Sequence, residues 1–229
     1  MIVVCEVHHQ HFDSATLAAT ARTRCAVPLR RAGAMTELVV SGVHACLDGG
    51  PDLPTALIWG SRIGIRQATA RVVTDLCIAG EAAMPFDFLA TQPALAAVPV
   101  QQTFPCVANA IYQPWQADID LHWARMLQLA MVWLRHGRHA RVLCGQVEPG
   151  ERESRGDWLV LARQDAGLPA RARVDDTAGG RHDGSVATLM DWLAAGGTAE
   201  FSFAPAADLP ALRFERAPSS TPSPPQPSP

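Results

Sequence analysis

Residues 115–137 read WQADIDLHWARMLQLAMVWLRHG, and RHARVLCGQVEP follows them at 138–149. A turn rich in carboxylates leads into an unusually apolar segment and then into a short strand. Polar residues of the segment fall on one narrow stripe, which predicts a helix that is close to fully buried. In many acyl-transfer enzymes the residue at the start of such a helix is a nucleophile. The candidates here are Asp118, Asp120 and His122, with no serine or cysteine beside them.

The composition is that of a globular chain with a sizeable core. Hydrophobic residues make up 48% and charged residues 18% of the 229 residues. The formal charge of −3 gives no reason to expect nucleic acid or an anionic membrane as a partner. All nineteen basic residues are arginine, which excludes Schiff-base catalysis and a P-loop lysine. We expect no cofactor.

The N-terminus, MIVVCEVHHQ, lacks the basic region and the cleavage site of a signal peptide. Apolar runs are far shorter than the roughly 20 residues that span a bilayer. The sequence therefore predicts a cytoplasmic protein.

Cysteines and histidines offer two further kinds of site. The six cysteines are widely spaced, without a CxxC pair, and most lie among apolar neighbours, which favours burial in a reducing compartment. Cys106 and Cys144 are the alternative nucleophiles. Cys106 precedes a possible helix, whose N-terminus would lower the thiol pKa. Cys144 lies within a strand beside a glycine, with no base nearby in the sequence, which favours burial. In VHHQHFD, alternation along a strand would place His9 and His11 on one face, where they could hold Zn²⁺ or Ni²⁺. Three or four convergent ligands are needed, and the others are not evident.

Hydrophobic periodicity predicts an α/β domain with a mixed sheet. Expected helices cover 34–47, 65–79, the apolar segment above and 185–197, with Ser185 as the cap of the last. Expected strands cover 55–61, 140–147, 157–163, 170–175, 198–204 and 212–217. Residues 106–113 read as a helical turn or two, and 148–157 as a solvated loop. One domain over 1–216 precedes a Pro/Ser-rich tail at 217–229, which cannot build a core.

Four short phrases, in order, carry a resemblance to a known family. They are CAVPLRRAGAM (25–35), ALIWGSRIG (56–64), VQQTFPCVANAI (100–111) and HGRHARVLCGQVE (136–148). Together with the buried helix they resemble the β-ketoacyl synthase-like N-terminal domain family, which comprises small relatives of ketosynthases and chain-length factors. The resemblance runs from about Val27 to Glu215. It implies a thiolase-like half-fold, in which helices layer a mixed sheet.

The resemblance also implies where a nucleophile would be. Ketosynthases carry a cysteine just before the buried helix, and counting back from Gly137 places that position at or next to Asp120. Asn109 matches an asparagine that precedes the nucleophile in the family. The catalytic histidines of a condensing enzyme lie in a second half of the fold, which this chain does not have. The resemblance thus implies that this chain has lost the nucleophile from the start of the buried helix.

Three hypotheses about function follow. The first is a catalytically silent partner of a ketosynthase in polyketide, aryl-polyene pigment or fatty-acid-type biosynthesis, forming a homo- or hetero-oligomer. Its six tryptophans would anchor the interface, and Arg24, Arg30 and Arg31 could meet an acyl carrier protein. The second is a small acyltransferase or thioesterase that uses Cys106 or Cys144. The third is a module that binds an acyl group without chemistry.

Overall fold

The computed structural model describes residues 1–29, 32–82, 85–177, 182–195 and 198–217. Its strands are β1 (Ile2–Asp13), β2 (Thr55–Gly60), β3 (Val107–Tyr112), β4 (Arg141–Glu148), β5 (Glu153–Arg163), β6 (Ala172–Thr177), β7 (Glu200–Phe203) and β8 (Ala211–Arg216). Its α-helices are α1 (Ser14–Arg24), α2 (Ala34–Leu47), α3 (Arg66–Val73), α4 (Pro85–Ala90), α5 (Val98–Thr103), α6 (Ile119–Arg135) and α7 (Val186–Ala195). A π-helix at Thr74–Ala79 continues α3, and a 3₁₀-helix at Pro93–Ala97 leads into α5.

The described strands form one eight-stranded mixed sheet in the order β3-β2-β4-β5-β1-β6-β8-β7. Strand β2 is parallel to both β3 and β4. All other neighbours are antiparallel. This architecture confirms the predicted mixed α/β fold.

Helices cover both faces of the sheet, and successive side chains of each central strand point to opposite faces. Leu159 and Leu161 of β5 face the layer of α6 and α7. Trp158, Val160 and Ala162 face the layer of α1, α2 and α5. The alternation follows the two-residue period of a strand. Because both faces are apolar, these strands read in the sequence as nearly continuous hydrophobic runs.

Helix α6 matches the buried helix predicted from the sequence. Eight of its residues are buried, and only Ile119, Val132 and Arg135 are exposed. It packs across β4, β5, β1 and β2. No helix in the described ranges is both long and apolar enough to cross a membrane.

Three expectations about local structure were wrong. Residues 106–113, expected to be helical, contain the strand β3, because pairing with β2 overrides the weak helical signal of an Ala- and Asn-containing segment. Residues 148–157, expected to be a solvated loop, belong largely to β4 and β5. Most tryptophans are core residues and not interface anchors. Those with little or no exposure are Trp59, Trp123, Trp158 and Trp192.

Helix α1 near the N-terminus and the contact of Ala217 near the C-terminus differ from what the sequence predicted. Helix α1 was not foreseen; Asp13 caps it by accepting a hydrogen bond from the Thr16 N–H at 2.7 Å. At the other end, the backbone N–H of Ala217 donates to the Arg171 carbonyl at 3.1 Å. The rest of the predicted tail, 218–229, lies outside the described residues.

Trp158 fixes the distance between α2 and the sheet. Its indole is fully buried and lies against the Cα atoms of Gly42 in α2, Gly145 in β4 and Gly156 in β5. A methyl group at Gly42 or Gly145 would overlap the ring. Glycine is therefore required at these positions because the Trp158 indole packs directly against the backbone. The indole fills the space that a side chain would otherwise occupy.

We predict that Gly42→Ala lowers the free energy of unfolding by about 1–3 kcal/mol, because the methyl group overpacks a rigid indole. Helix propensity alone would act in the opposite direction, by about 1 kcal/mol. The measurement is the midpoint of urea denaturation followed by tryptophan fluorescence. Gly33→Ala is the control, since a methyl group there meets no atom within 4 Å. A Gly42→Ala variant as stable as the parent would refute this account of the packing.

Candidate functional site

A cleft of about 670 Å³ opens where α6 and α7 begin. The outer half of β1 and residues of β4 and β5 form its other walls. Its charged side chains are Asp118, Asp120, Glu148, Asp157, Asp191, Arg62 and Arg155. No cysteine is found among the described residues that line it. Because the cleft includes the start of α6, it is the candidate functional site.

The two aspartates at the start of α6 accept hydrogen bonds from backbone N–H groups at helix N-termini. Asp118 caps the helix, and its Oδ1 accepts hydrogen bonds from the N–H groups of Asp120 at 2.8 Å and Leu121 at 3.1 Å. Asp120 Oδ1 accepts a hydrogen bond from the N–H of Val186, the first residue of α7, at 2.7 Å. The position that the resemblance assigns to the lost nucleophile is thus next to, or at, a carboxylate that joins α6 to α7. Such carboxylates are stabilised at helix N-termini.

His122 lies beneath the cleft and is fully buried. Its ring fills the space above Gly60 at the end of β2 and lies 5.0 Å from the Trp115 ring, centroid to centroid. Burial lowers the pKa of His122 to about 4, although the nearby Glu148 acts in the opposite direction. The imidazole is therefore neutral at pH 7. The Pro114 backbone and the Gln146 side chain lie near the ring and oppose the lowering of its pKa, as Glu148 does, although neither contact has good hydrogen-bond geometry.

Glu148 organises the turn that follows β2. Its carboxylate accepts hydrogen bonds from the backbone N–H groups of Arg62 at 2.8 Å and Ile63 at 3.1 Å. In the same turn Ser61 Oγ accepts a hydrogen bond from the Gly64 N–H at 2.7 Å. Sequence reasoning missed the role of Glu148. The only local signal is an acidic residue at the end of a buried strand.

His9 and His11 lie on one face of β1, as alternation predicted, and both line the cleft. His9 Nδ1 lies 2.8 Å from Asp157 Oδ1, on the residue directly opposite in β5. Among the residues that the structure describes, no group of three or more His, Cys, Asp or Glu side chains is arranged to hold a metal ion. The pair therefore lacks the convergent ligands of a metal site.

Cys106 and Cys144 lie away from the cleft. Cys144 is completely buried, and its thiol points to the Met126 carbonyl oxygen at 3.9 Å. Burial raises the pKa of Cys144 far above its ordinary value. Cys106 is half-buried, and burial raises the pKa of its thiol as well. Both shifts disfavour the thiolate that a nucleophilic cysteine needs.

Asn109, the other residue singled out by the resemblance, lies in β3 at the opposite end of α6. Its amide Nδ2 donates to His139 Nε2 at 3.0 Å. His139 is also in ring contact with Trp133, at 5.6 Å between centroids. Of the arginines considered for a carrier protein, Arg24 is half-buried. Arg30 and Arg31 lie outside the described residues.

Comparison with solved structures identifies the fold. No protein-family model and no curated protein matches the chain. A chain from a ketosynthase (ApeO) in complex with its chain length factor (ApeC) from Xenorhabdus doucetiae superposes with a TM-score of 0.58 at 14% identity. The match covers 94% of this chain and 99% of that one, so the two are of nearly equal length.

Two further structures agree. A chain from a type II polyketide synthase acyl-carrier protein complexed with its ketosynthase (AntDE:AntF) matches with a TM-score of 0.57 at 11% identity, covering 94% of this chain and 99% of that one. The ishigamide ketosynthase/chain length factor matches with a TM-score of 0.51 at 13% identity, covering 77% and 67%. The resemblance seen in the sequence is confirmed at the level of the fold: this chain has the β-ketoacyl synthase-like, thiolase-type fold.

Proposed function

We propose that this chain is a catalytically silent, chain-length-factor-like partner of a ketosynthase in polyketide, aryl-polyene pigment or fatty-acid-type biosynthesis. The observation that carries the proposal is the start of α6. In this fold a condensing enzyme needs a nucleophile there, and this chain has Asp118 and Asp120, whose carboxylates hold helix ends.

Electrostatics at the start of α6 oppose acyl transfer. A condensing thiolate is stabilised by free N–H groups and by the positive end of the helix dipole. Here the Asp118 carboxylate already accepts the N–H groups of Asp120 and Leu121. Asp120 and Glu148 add further negative charge to the cleft. A second anion, such as a thiolate or an oxyanion, would be repelled at this place.

Association with a partner is supported by the solved structures and by one edge of the sheet. The similar structures include ketosynthase–chain length factor complexes. Strand β3 is an edge strand without a charged residue, and its Ile111 side chain is 39% exposed. Trp133 of α6 is half-buried and lines a pocket together with Ile111. An uncharged edge strand beside apolar side chains is a template for pairing with another chain.

A carrier protein and a cytoplasmic location remain predictions of this proposal. The arginines at 24, 30 and 31 would supply positive charge to an acidic carrier. Replacing all three by glutamine should weaken binding of the pathway's acyl carrier protein, measured by calorimetry, if they form that surface.

If the chain is catalytically silent, the rate at which each cysteine reacts should follow its exposure to solvent. In the native protein, iodoacetamide should label the exposed Cys77 first. The buried Cys5, Cys46 and Cys144 should react more than about 100-fold more slowly, because labelling requires local opening of the core. Intact-mass spectrometry at neutral pH measures the order, and Cys77→Ser removes the fast phase. Labelling of Cys106 or Cys144 ahead of Cys77 would instead favour the cysteine-dependent acyltransferase or thioesterase.

The proposed partnership predicts a stable complex with a cognate ketosynthase. The two purified proteins should elute together in size-exclusion chromatography, at the mass of a complex. Ile111→Glu should weaken the complex at least about tenfold, because it places a charge on the pairing edge.

Ile78→Glu is the matched control, since Ile78 is 79% exposed on the π-helix, outside β3 and α6. Loss of the complex with Ile78→Glu but not with Ile111→Glu would move the interface away from β3. Separate elution of the two wild-type proteins at micromolar concentration would contradict the proposed partnership.

A further inference from the structure

An apolar pocket of about 320 Å³ lies where the starts of α2 and α5 meet the end of α4. It is on the opposite face of the sheet from the cleft at the start of α6. Leu29 and Ala96, which line it, are buried and belong to the core beneath α2. Leu89, Leu95 and Val98, which also line it, are between 41% and 47% exposed. The pocket therefore has a fixed floor in the core and a rim of accessible apolar side chains.

The walls of this pocket offer almost no polar contacts. Among the described residues that line it, none has a charged or an aromatic side chain. Thr36 and Gln92 are the polar ones, and Gln92 Nε2 already donates a hydrogen bond to Thr91 Oγ1 at 3.2 Å. A polar group that is buried without a partner costs free energy. The walls therefore favour a ligand whose inserted part has no hydrogen-bonding groups.

The size of the pocket limits what can enter it. Small-molecule sites are concave and mostly apolar, with volumes of about 300–1,000 Å³. This pocket is at the lower end of that range. A helix, with a diameter of about 10–12 Å including its side chains, is too wide for it. Met35 also lines the pocket, and its unbranched side chain can adapt to the shape of a ligand. The occupant that fits is a single aliphatic chain.

We propose that this pocket binds the aliphatic chain of a lipid-like molecule whose polar end stays in solvent. The chain inserts towards Leu29 and Ala96 and covers the exposed side chains of Leu89, Leu95 and Val98. Removal of these apolar surfaces from water supplies the affinity. The inference is independent of the proposed partnership, because neither β3 nor the start of α6 takes part in the binding.

A series of straight-chain alcohols tests the pocket. The full chain, carrying ¹³C-labelled methyl groups, is titrated with 1-butanol, 1-hexanol and 1-octanol and followed by NMR. We expect the Kd to fall about fourfold for each added CH₂, because each one buries further apolar surface. Binding should be saturable, and the methyl resonances that shift should include those of Met35, Leu95 and Val98.

Two leucine variants locate the binding. Leu95→Asp should weaken the binding of 1-octanol at least about tenfold, because it places a charge on the apolar wall. Leu76→Asp is the matched control, since it makes the same change at a leucine that is 50% exposed on the π-helix, away from the described lining of the pocket. Far-UV circular dichroism checks that both variants are folded.

A second variant blocks the pocket by volume and not by charge. Ala90→Phe, at an exposed position of α4 that lines the pocket, should weaken the binding of 1-octanol by a similar factor. A Kd that does not change with chain length would overturn the inference. So would methyl shifts confined to residues outside the pocket, or equal losses of binding in Leu95→Asp and Leu76→Asp.

Discussion

The hydrogen bond between the Asp120 carboxylate and the first N–H of α7 joins two helices that cover one face of the sheet. A carboxylate suits this position, because it meets the positive ends of two helix dipoles. The same bond determines the character of the cleft. The family resemblance implies that catalytic chemistry would take place at the start of the buried helix, and here the carboxylates at that place bind the N–H groups at the starts of α6 and α7. Negative charge and occupied N–H groups are therefore built into the architecture of the site.

The parts of the fold that could be predicted are those with a strong local period. Helix α6 and the buried strands β2, β4 and β5 follow from runs of apolar residues, because both faces of the central sheet are covered. Strand β3 could not be predicted in this way. It is a half-exposed edge strand, and only its pairing with β2 fixes its conformation. Helix α1 was missed because it is short of large apolar residues, with Leu17 and Ala21 its only buried residues.

The start of α6 was predictable from the sequence, but the contacts made there were not. Counting from Gly137 located the start of α6 and identified Asp120 as a residue to examine. The contacts that define the cleft join residues far apart in the chain, such as Glu148 with the turn at Arg62 and Ile63. A single sequence carries no periodic signal for such pairs. The same holds for Asn109 and His139, which belong to different elements and meet only in the folded chain.

The two edges of the sheet differ in a way that favours association at one of them. The edge at β7 is four residues long, and its Glu200 forms an ion pair with Arg213 of the adjacent strand β8. Short length and charge both protect an edge strand against pairing with another chain. Strand β3 has neither protection in its sequence, VANAIY, and Trp133 of α6 lines a pocket together with its Ile111. Under the proposed partnership, β3 is therefore the edge at which neither charge nor short length would hinder pairing with a partner strand.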